Sequence, residues 1–221
     1  MAREDAVWRG EAMRTSELHV LPCGDHAVLV ELDDLEDVLA LNAALRDHEP
    51  PGLVDVVPAA ETLLIMFDPG VTSAERLTDE LAHLPDERPA TDEPPLVEIP
   101  VRYDGPDVDA VAAAAGLSAA EVVRRHAGGT YTVAFTGFAP GFAYLTGLDP
   151  RLVLPRRETP RTRVPAGSVA IADRYTGVYP RSGPGGWHLL GHTDAVLWDL
   201  GRTPPAALLP GARVRFTEGR A

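Results

Sequence analysis

The 221-residue chain contains no lysine; all 20 of its Lys and Arg positions are arginine. That excludes a Schiff-base lysine, a lysine general base and the Gly-x-x-x-x-Gly-Lys phosphate loop. A single cysteine, Cys23, rules out an internal disulfide framework and fits a reducing compartment. Next to Gly24 it reads as a small core residue rather than a reactive thiol. No run of eighteen apolar residues occurs, so no membrane-spanning helix is expected. The first eleven residues mix charged and apolar types and lack the apolar core of a signal peptide. The expectation is a soluble, cytoplasmic protein.

What is present is unevenly distributed. The net charge of -13 resolves into -17 over residues 1–100 and +4 over residues 101–221. Nucleic acid and anionic membranes are therefore poor partners for the first half. The second half suits carboxylates, phosphates or an acidic protein. Glycine and proline concentrate between Phe135 and Gly191, a composition that can mean disorder. Seven of the 13 aromatic residues lie in the same stretch, however, which favours an ordered, turn-rich surface pinned by buried rings.

In chain order, residues 1–15 read as a loose tail. Leu18–Leu21 and Ala27–Leu32 are short β-leaning runs separated by a Pro22–Asp25 turn. Leu35, Val38, Leu39, Leu41, Asn42 and Leu45 follow helical spacing up to the Pro50-Pro51-Gly52 stop. Two strands, Leu53–Val57 and Thr62–Phe67, precede a second helix capped by Thr72 or Ser73. With Leu96–Tyr103 as a candidate closing strand, this order approximates a split β-α-β, ferredoxin-like sandwich. The acidic, proline-containing stretch from Pro85 to Pro95 is the natural boundary. The expected division is a tail (1–15), an N-terminal α+β domain (16–90) and a β-domain (91–221). Beyond the boundary come a short alanine-rich helix from Asp107 with Gly116 as its C-cap, and a second helix opened by the Ser118–Glu121 capping box. The runs Tyr131–Phe135, Val169–Ala172, His188–Leu190, Ala195–Trp198 and Val214–Phe216 then read as an antiparallel barrel or sandwich.

Several constellations invite chemistry. Arg151, Arg156, Arg157, Arg161 and Arg163 fall within thirteen residues, and Pro155 and Pro160 keep that segment extended. Alternation places Arg157, Arg161 and Arg163 on one face, able to grip a carboxylate or phosphate; a solvated surface run, or pairing with the acidic N-terminal domain, are the alternatives. Ser168 lacks the Gly-x-Ser-x-Gly elbow, and a turn hydrogen bond suits it better than nucleophilic attack. His188 and His192 are four apart, but Gly185, Gly186 and Gly191 argue for a strand, where four residues span roughly 13 Å, too far to share a metal ion. Pro140-Gly141 is a type II turn pair that brings Phe138 and Phe142 together, with Tyr144 following. Glycines 177, 183, 185 and 186 let the backbone approach closely against Trp187. Rings plus bare backbone N–H groups suit a small planar or anionic ligand, an inserted partner loop, or simply hydrophobic corners.

The ordered blocks Gly137–Arg151, Pro155-Arg156-Arg157, Pro160–Val169, Thr176–Pro180 and Pro184–Trp187 resemble the allophanate hydrolase subunit 1 family, also called the kinase-inhibitor KipI family. The resemblance extends to Cys23–Glu31 and Glu98–Val101. It implies a small N-terminal α/β domain followed by a cyclophilin-like β-barrel. It also implies a role in ATP-dependent opening of 5-oxo-L-proline to L-glutamate, with the ATP used by a complex that includes a C subunit and a LamB/YcsF-like A subunit. Inhibition of a sensor histidine kinase, or a part in urea or allophanate breakdown, are the alternative roles in the family. Under the first reading Phe138, Pro140, Phe142, Tyr144, Arg157, Arg161, Arg163, Ser168, Tyr179 and Trp187 are candidates for substrate binding or a subunit interface, with no metal. The chain departs from the family pattern at His192 and Asp194, where the blocks carry Arg and Pro, and in the Asp173-Arg174-Tyr175 link.

Overall fold

A computed structural model describes residues 18–84 and 96–219. The chain divides into two compact units, Met1–Thr91 and Asp92–Ala221. The tail and the boundary stretch read from the sequence lie outside the described residues.

In the first unit, β1 (His19–Pro22) and β2 (Ala27–Glu31) form an antiparallel hairpin. Helix α1 (Leu35–Asp47) follows, started by Asp34, whose carboxylate accepts from the backbone N–H groups of Glu36 and Asp37. Strands β3 (Leu53–Pro58) and β4 (Thr62–Phe67) form a second antiparallel pair, and α2 (Ala74–Leu81) is capped by Ser73. The sheet order is β1-β2-β4-β3. Alternate strand residues Val28, Val30, Leu63, Ile65 and Phe67 pack with Val38, Leu41, Leu45, Leu77 and Leu81 of the helices into one core. The stretch Leu96–Tyr103 does not close this sheet as expected: the N-terminal β1 occupies that edge. Cys23 is not a core residue either, because the β1–β2 turn carries it to the surface.

The second unit is a mixed α/β assembly around a seven-stranded sheet. Strand β5 (Leu96–Val101) is followed by α3 (Val108–Ala115), with Gly116 in the left-handed conformation as its C-cap, and α4 (Ala119–Ala127), capped by Ser118. Then come β6 (Tyr131–Thr136), β7 (Ala143–Thr146), β8 (Arg161–Val164), β9 (Ser168–Ala172), β10 (Tyr175–Val178), β11 (Gly183–Gly185), β12 (His188–His192) and β13 (Arg213–Glu218). The large sheet runs β12-β9-β10-β7-β6-β13-β5, and β8 with β11 forms a separate ribbon. The sheet is not wholly antiparallel. Its first and last strands, β5 and β13, lie side by side in parallel, with Leu96 opposite Arg213 and Val101 opposite Glu218. The run Ala195–Trp198 is not a strand; it contributes one isolated bridge, Trp198 to Ala206.

The sheet curls into a nearly closed barrel. Its two edges meet where Arg102 N–H donates to His192 O and His192 N–H donates to Arg102 O, both at 2.8 Å. Two glycines permit this approach: a Cβ on Gly191 would overlap Arg102 O, and one on Gly105 would overlap Leu189 O. Inside the barrel, Val133, Leu145, Val169, Ile171, Leu190 and Phe216 pack with Val111 and Val122 of the helices. Buried His126 occupies this core, its ring stacked on Phe216 at 4.7 Å. The Thr176 hydroxyl donates to Ala170 O at 3.0 Å, so it accepts from His126 Nε2 at 2.8 Å. His126 Nδ1 then accepts from the Tyr103 hydroxyl at 2.8 Å, which fixes the neutral tautomer. Burial holds the His126 pKa down at about 3.

Candidate functional site

Strand alternation sends Val169 and Ile171 of β9 into the barrel and Ser168, Ala170 and Ala172 to its outer face. There Phe142, Val164, Tyr179, Trp187 and Leu189 complete a second, smaller core, and the β8–β11 ribbon contributes Val164 to it. The rings meet edge to face: Phe142 lies 5.4 Å from both Tyr179 and Trp187, and Tyr144 lies 5.6 Å from Trp187. Gly177 makes room for them, since a Cβ there would sit 2.8 Å from Ala143 O and 3.3 Å from the Phe142 ring. A Cβ on Gly185 would overlap the Tyr179 hydroxyl. Burial pushes the Tyr179 phenol above its ordinary pKa, with the Trp187 N–H opposing. Phe142, Tyr179, Trp187 and Ser168 are thus buried, and they support the surface rather than form it.

The turn above them is what faces solvent. Phe142 N–H donates to Ala139 O at 2.9 Å across Pro140 and Gly141, and Gly141 has φ +82°, the type II geometry. Phe138 itself has φ +63°, unusual for a bulky side chain, and is 59% exposed, with its ring 5.3 Å from Phe142 and 6.0 Å from Tyr179. Backbone strain of this kind concentrates at binding surfaces. Beside the turn opens a cavity of about 410 Å³ lined by Phe138, Pro140, Trp198, Ala206, Leu209 and Pro210, together with Thr136, Gly137, Ala139 and Gly141. Among the described residues, no charged side chain lines it. Trp198 and Leu209 are exposed at its rim, and Leu200 of the same loop is 82% exposed.

The arginines divide. Arg157 Nη1 and Arg161 Nη2 both donate to Asp107 Oδ1, at 2.9 and 2.7 Å, while Leu189 N–H donates to Asp107 Oδ2 at 2.7 Å. Asp107 stands at the start of α3 without capping it, because its carboxylate is turned to the arginines. Burial raises its pKa, but the hydrogen bonds from Arg161 and Leu189 and the two guanidinium charges carry it below the usual carboxylate range. The cluster keeps one net positive charge. Arg163 is not part of it: its Nε donates to Ser182 Oγ at 3.1 Å on the exposed side of β8. Arg156 faces Asp173 at 3.5 Å, and Arg151 reaches the carbonyls of Ala115 and Gly116. His188 and His192 take the two ends of β12, and His192 Nε2 lies 3.2 Å from Asp194 Oδ1. Asp107, Trp198 and Leu209 did not emerge as site residues from the sequence. Asp107 reads only as the start of a helix, Trp198 as the end of a strand run that the structure does not form, and Leu209 lies in a stretch with no period.

The sequence profile of the carboxyltransferase domain, subdomain C and D, matches residues 18–208. The chain is 39% identical over 201 residues to the B subunit of 5-oxoprolinase from Escherichia coli O157:H7, covering 87% of this chain and 92% of that protein. It is 35% identical to the B subunit of 5-oxoprolinase from Bacillus subtilis (strain 168), covering 87% of this chain and 89% of the relative. Among solved structures, that of TTHA0988 superposes with a TM-score of 0.78 at 42% identity over 88% of this chain. The chain spans only 40% of the length of TTHA0988.

Proposed function

Because the chain belongs to the carboxyltransferase domain, subdomain C and D, family, with near end-to-end relatives named as the B subunit of 5-oxoprolinase, we propose that it fills that place in an ATP-dependent 5-oxoprolinase. The observation that carries this reading is the match along about nine-tenths of both chains to proteins of that name. The assembly opens 5-oxo-L-proline to L-glutamate with a C subunit and a LamB/YcsF-like A subunit. A lactam amide is resonance-stabilised, and phosphorylating its oxygen with ATP removes that stabilisation. Water then adds to the carbonyl carbon and the C–N bond breaks, with the nitrogen leaving as the amine. Hydrolysis of the resulting acyl phosphate gives glutamate and phosphate.

Neither the recess beside the Phe138 turn nor the Arg157–Asp107–Arg161 cluster offers an uncommitted cationic group for the phosphates of ATP. Lysine is absent, Arg157 and Arg161 are engaged by Asp107, and the apolar recess beside the Phe138 turn carries no charge. ATP is assigned to the assembly, and no phosphoryl step is routed through these residues. The chain's share is a surface that another chain completes: Phe138 and Pro140 present the contact, and Phe142, Tyr144, Ser168, Tyr179 and Trp187 hold it in shape. The residual positive charge of the Arg157–Asp107–Arg161 cluster, with Arg163 nearby on β8, attracts the substrate carboxylate. The curled sheet is read as cyclophilin-like. The first unit is read as ferredoxin-like, with β1 standing where the last strand of a β-α-β-β-α-β unit would lie.

The test is reconstitution. The chain alone releases no glutamate from 5-oxoproline and ATP, and addition of the C and A subunits restores release. A full assembly without product overturns the proposal.

A further inference from the structure

The sheet of the first unit has two faces, and only one is covered by its helices. Reading the register across the other face, Leu21 stands opposite Leu29, Leu29 opposite Leu64, and Leu64 opposite Val57. These four residues form one apolar row across all four strands, and none of them belongs to the core between sheet and helices. The next row holds Ala27, Met66 and Asp55; the row on the other side holds His19, Glu31 and Thr62. Val57 is 41% exposed and Met66 37%. An apolar row bordered by carboxylates is the layout of a contact surface, with an apolar centre and a charged rim.

Charge identifies the occupant. Residues 18–84 hold fourteen Asp and Glu against two arginines. Both arginines lie on the helices, Arg46 in α1 and Arg76 in α2. The strands and their turns contribute Asp25, Glu31, Asp55, Glu61 and Asp68, and no Lys or Arg at all. A second copy presenting this same face would bring like charge against like, so a symmetric face-to-face dimer is disfavoured. Strand addition at an edge is disfavoured too. Strand β1 has only four residues and ends in Pro22, while β3 carries a register shift between Leu53 and Asp55 and ends in Pro58.

We propose that this sheet face is a second docking surface, which receives an apolar ridge bordered by arginine or lysine on another member of the 5-oxoprolinase assembly. The identity of the occupant rests on the functional reading above.

The test measures affinity of the full-length chain for the C subunit and for the A subunit, each at low and high salt. Leu64→Arg places a charge in the middle of the row and is expected to weaken binding to one of them by about 100-fold. The double variant Glu31→Arg with Asp55→Arg leaves the apolar row intact, so it decides the matter if Leu64→Arg misfolds. It is expected to weaken binding roughly tenfold and to flatten the salt dependence. Folded variants that bind both partners like the wild type overturn the docking surface, while glutamate release by the wild-type assembly still supports the functional reading. A dimer of the chain alone that Leu64→Arg dissociates makes the occupant a second copy and also overturns it. A wild-type chain that binds neither partner and forms no active assembly removes both proposals.

Discussion

At the scale of single residues, His126 sets a pH limit on stability. The unfolded imidazole titrates near 6.5, whereas in the fold it resists protonation down to about 3. Between those values the unfolded chain binds the extra proton, so stability is complete above pH 6.5 and drains as pH falls towards 3. The total is on the order of 5 kcal/mol from this one group. Urea unfolding at a series of pH values should show that slope. His126→Gln, which keeps a donor and an acceptor but cannot titrate, should flatten it. Phe138 should behave oppositely. Phe138→Gly relieves a left-handed strain worth about 1 kcal/mol, so the melting temperature should hold or rise, while glutamate release by the assembly falls by about tenfold. A variant that loses both together would mark Phe138 as structural. Asp107→Ala leaves two guanidinium groups facing each other and should cost about 2 kcal/mol in urea unfolding, discounted because both arginines are partly exposed. The sequence made the arginine run visible, but not the buried acid that holds two of its members. A carboxylate fifty residues upstream of Arg157 becomes its partner only through the fold.

At the scale of elements, legibility followed side-chain pattern. Helix α1 is readable from its apolar spacing and the proline stop, and α2 and α4 because Thr72 or Ser73 and Ser118 sit just ahead of theirs; the Asp34 cap of α1 shows only in the structure. Strands β7, β8, β10 and β11 are not among the runs read from the sequence. Arg161-Thr162-Arg163-Val164 reads as extended but too charged to signal a paired strand, Tyr175–Val178 contains Gly177, and Gly183-Pro184-Gly185 has no β-forming side chain. Their pairing comes from neighbouring strands and from rings that need the glycines' space. The barrel seam follows the same logic. Gly191→Ala would drive a methyl group into Arg102 O and should destabilise the second unit by about 3 kcal/mol. Faster amide exchange at Arg102 and His192 than elsewhere in the sheet would locate the damage at the closure. Unchanged exchange there would refute this account of the seam.

At the scale of the whole molecule, each unit has its own core built from contiguous sequence. Every strand of the curled sheet comes from residues 96–218. A segment running from residue 96 to the end should therefore fold alone, and the buried Trp187 makes it visible by a blue-shifted emission that red-shifts on unfolding. Emission already at the unfolded wavelength in buffer would count against that autonomy. The charge split legible in the composition also has a structural location: the acidic half supplies an arginine-free sheet face, and the basic half a carboxylate held between two arginines.

The parallel pairing of β5 with β13 has a further consequence, for synthesis. β13 lies inside the sheet between β5 and β6, yet it is made last. While the ribosome works through the intervening hundred or so residues, β5 waits without its partner and the barrel cannot close. The growing chain must thus have released Arg213–Glu218 from the tunnel before this unit can fold. A chain truncated ahead of β13 should then yield not a slightly smaller barrel but a client for chaperones.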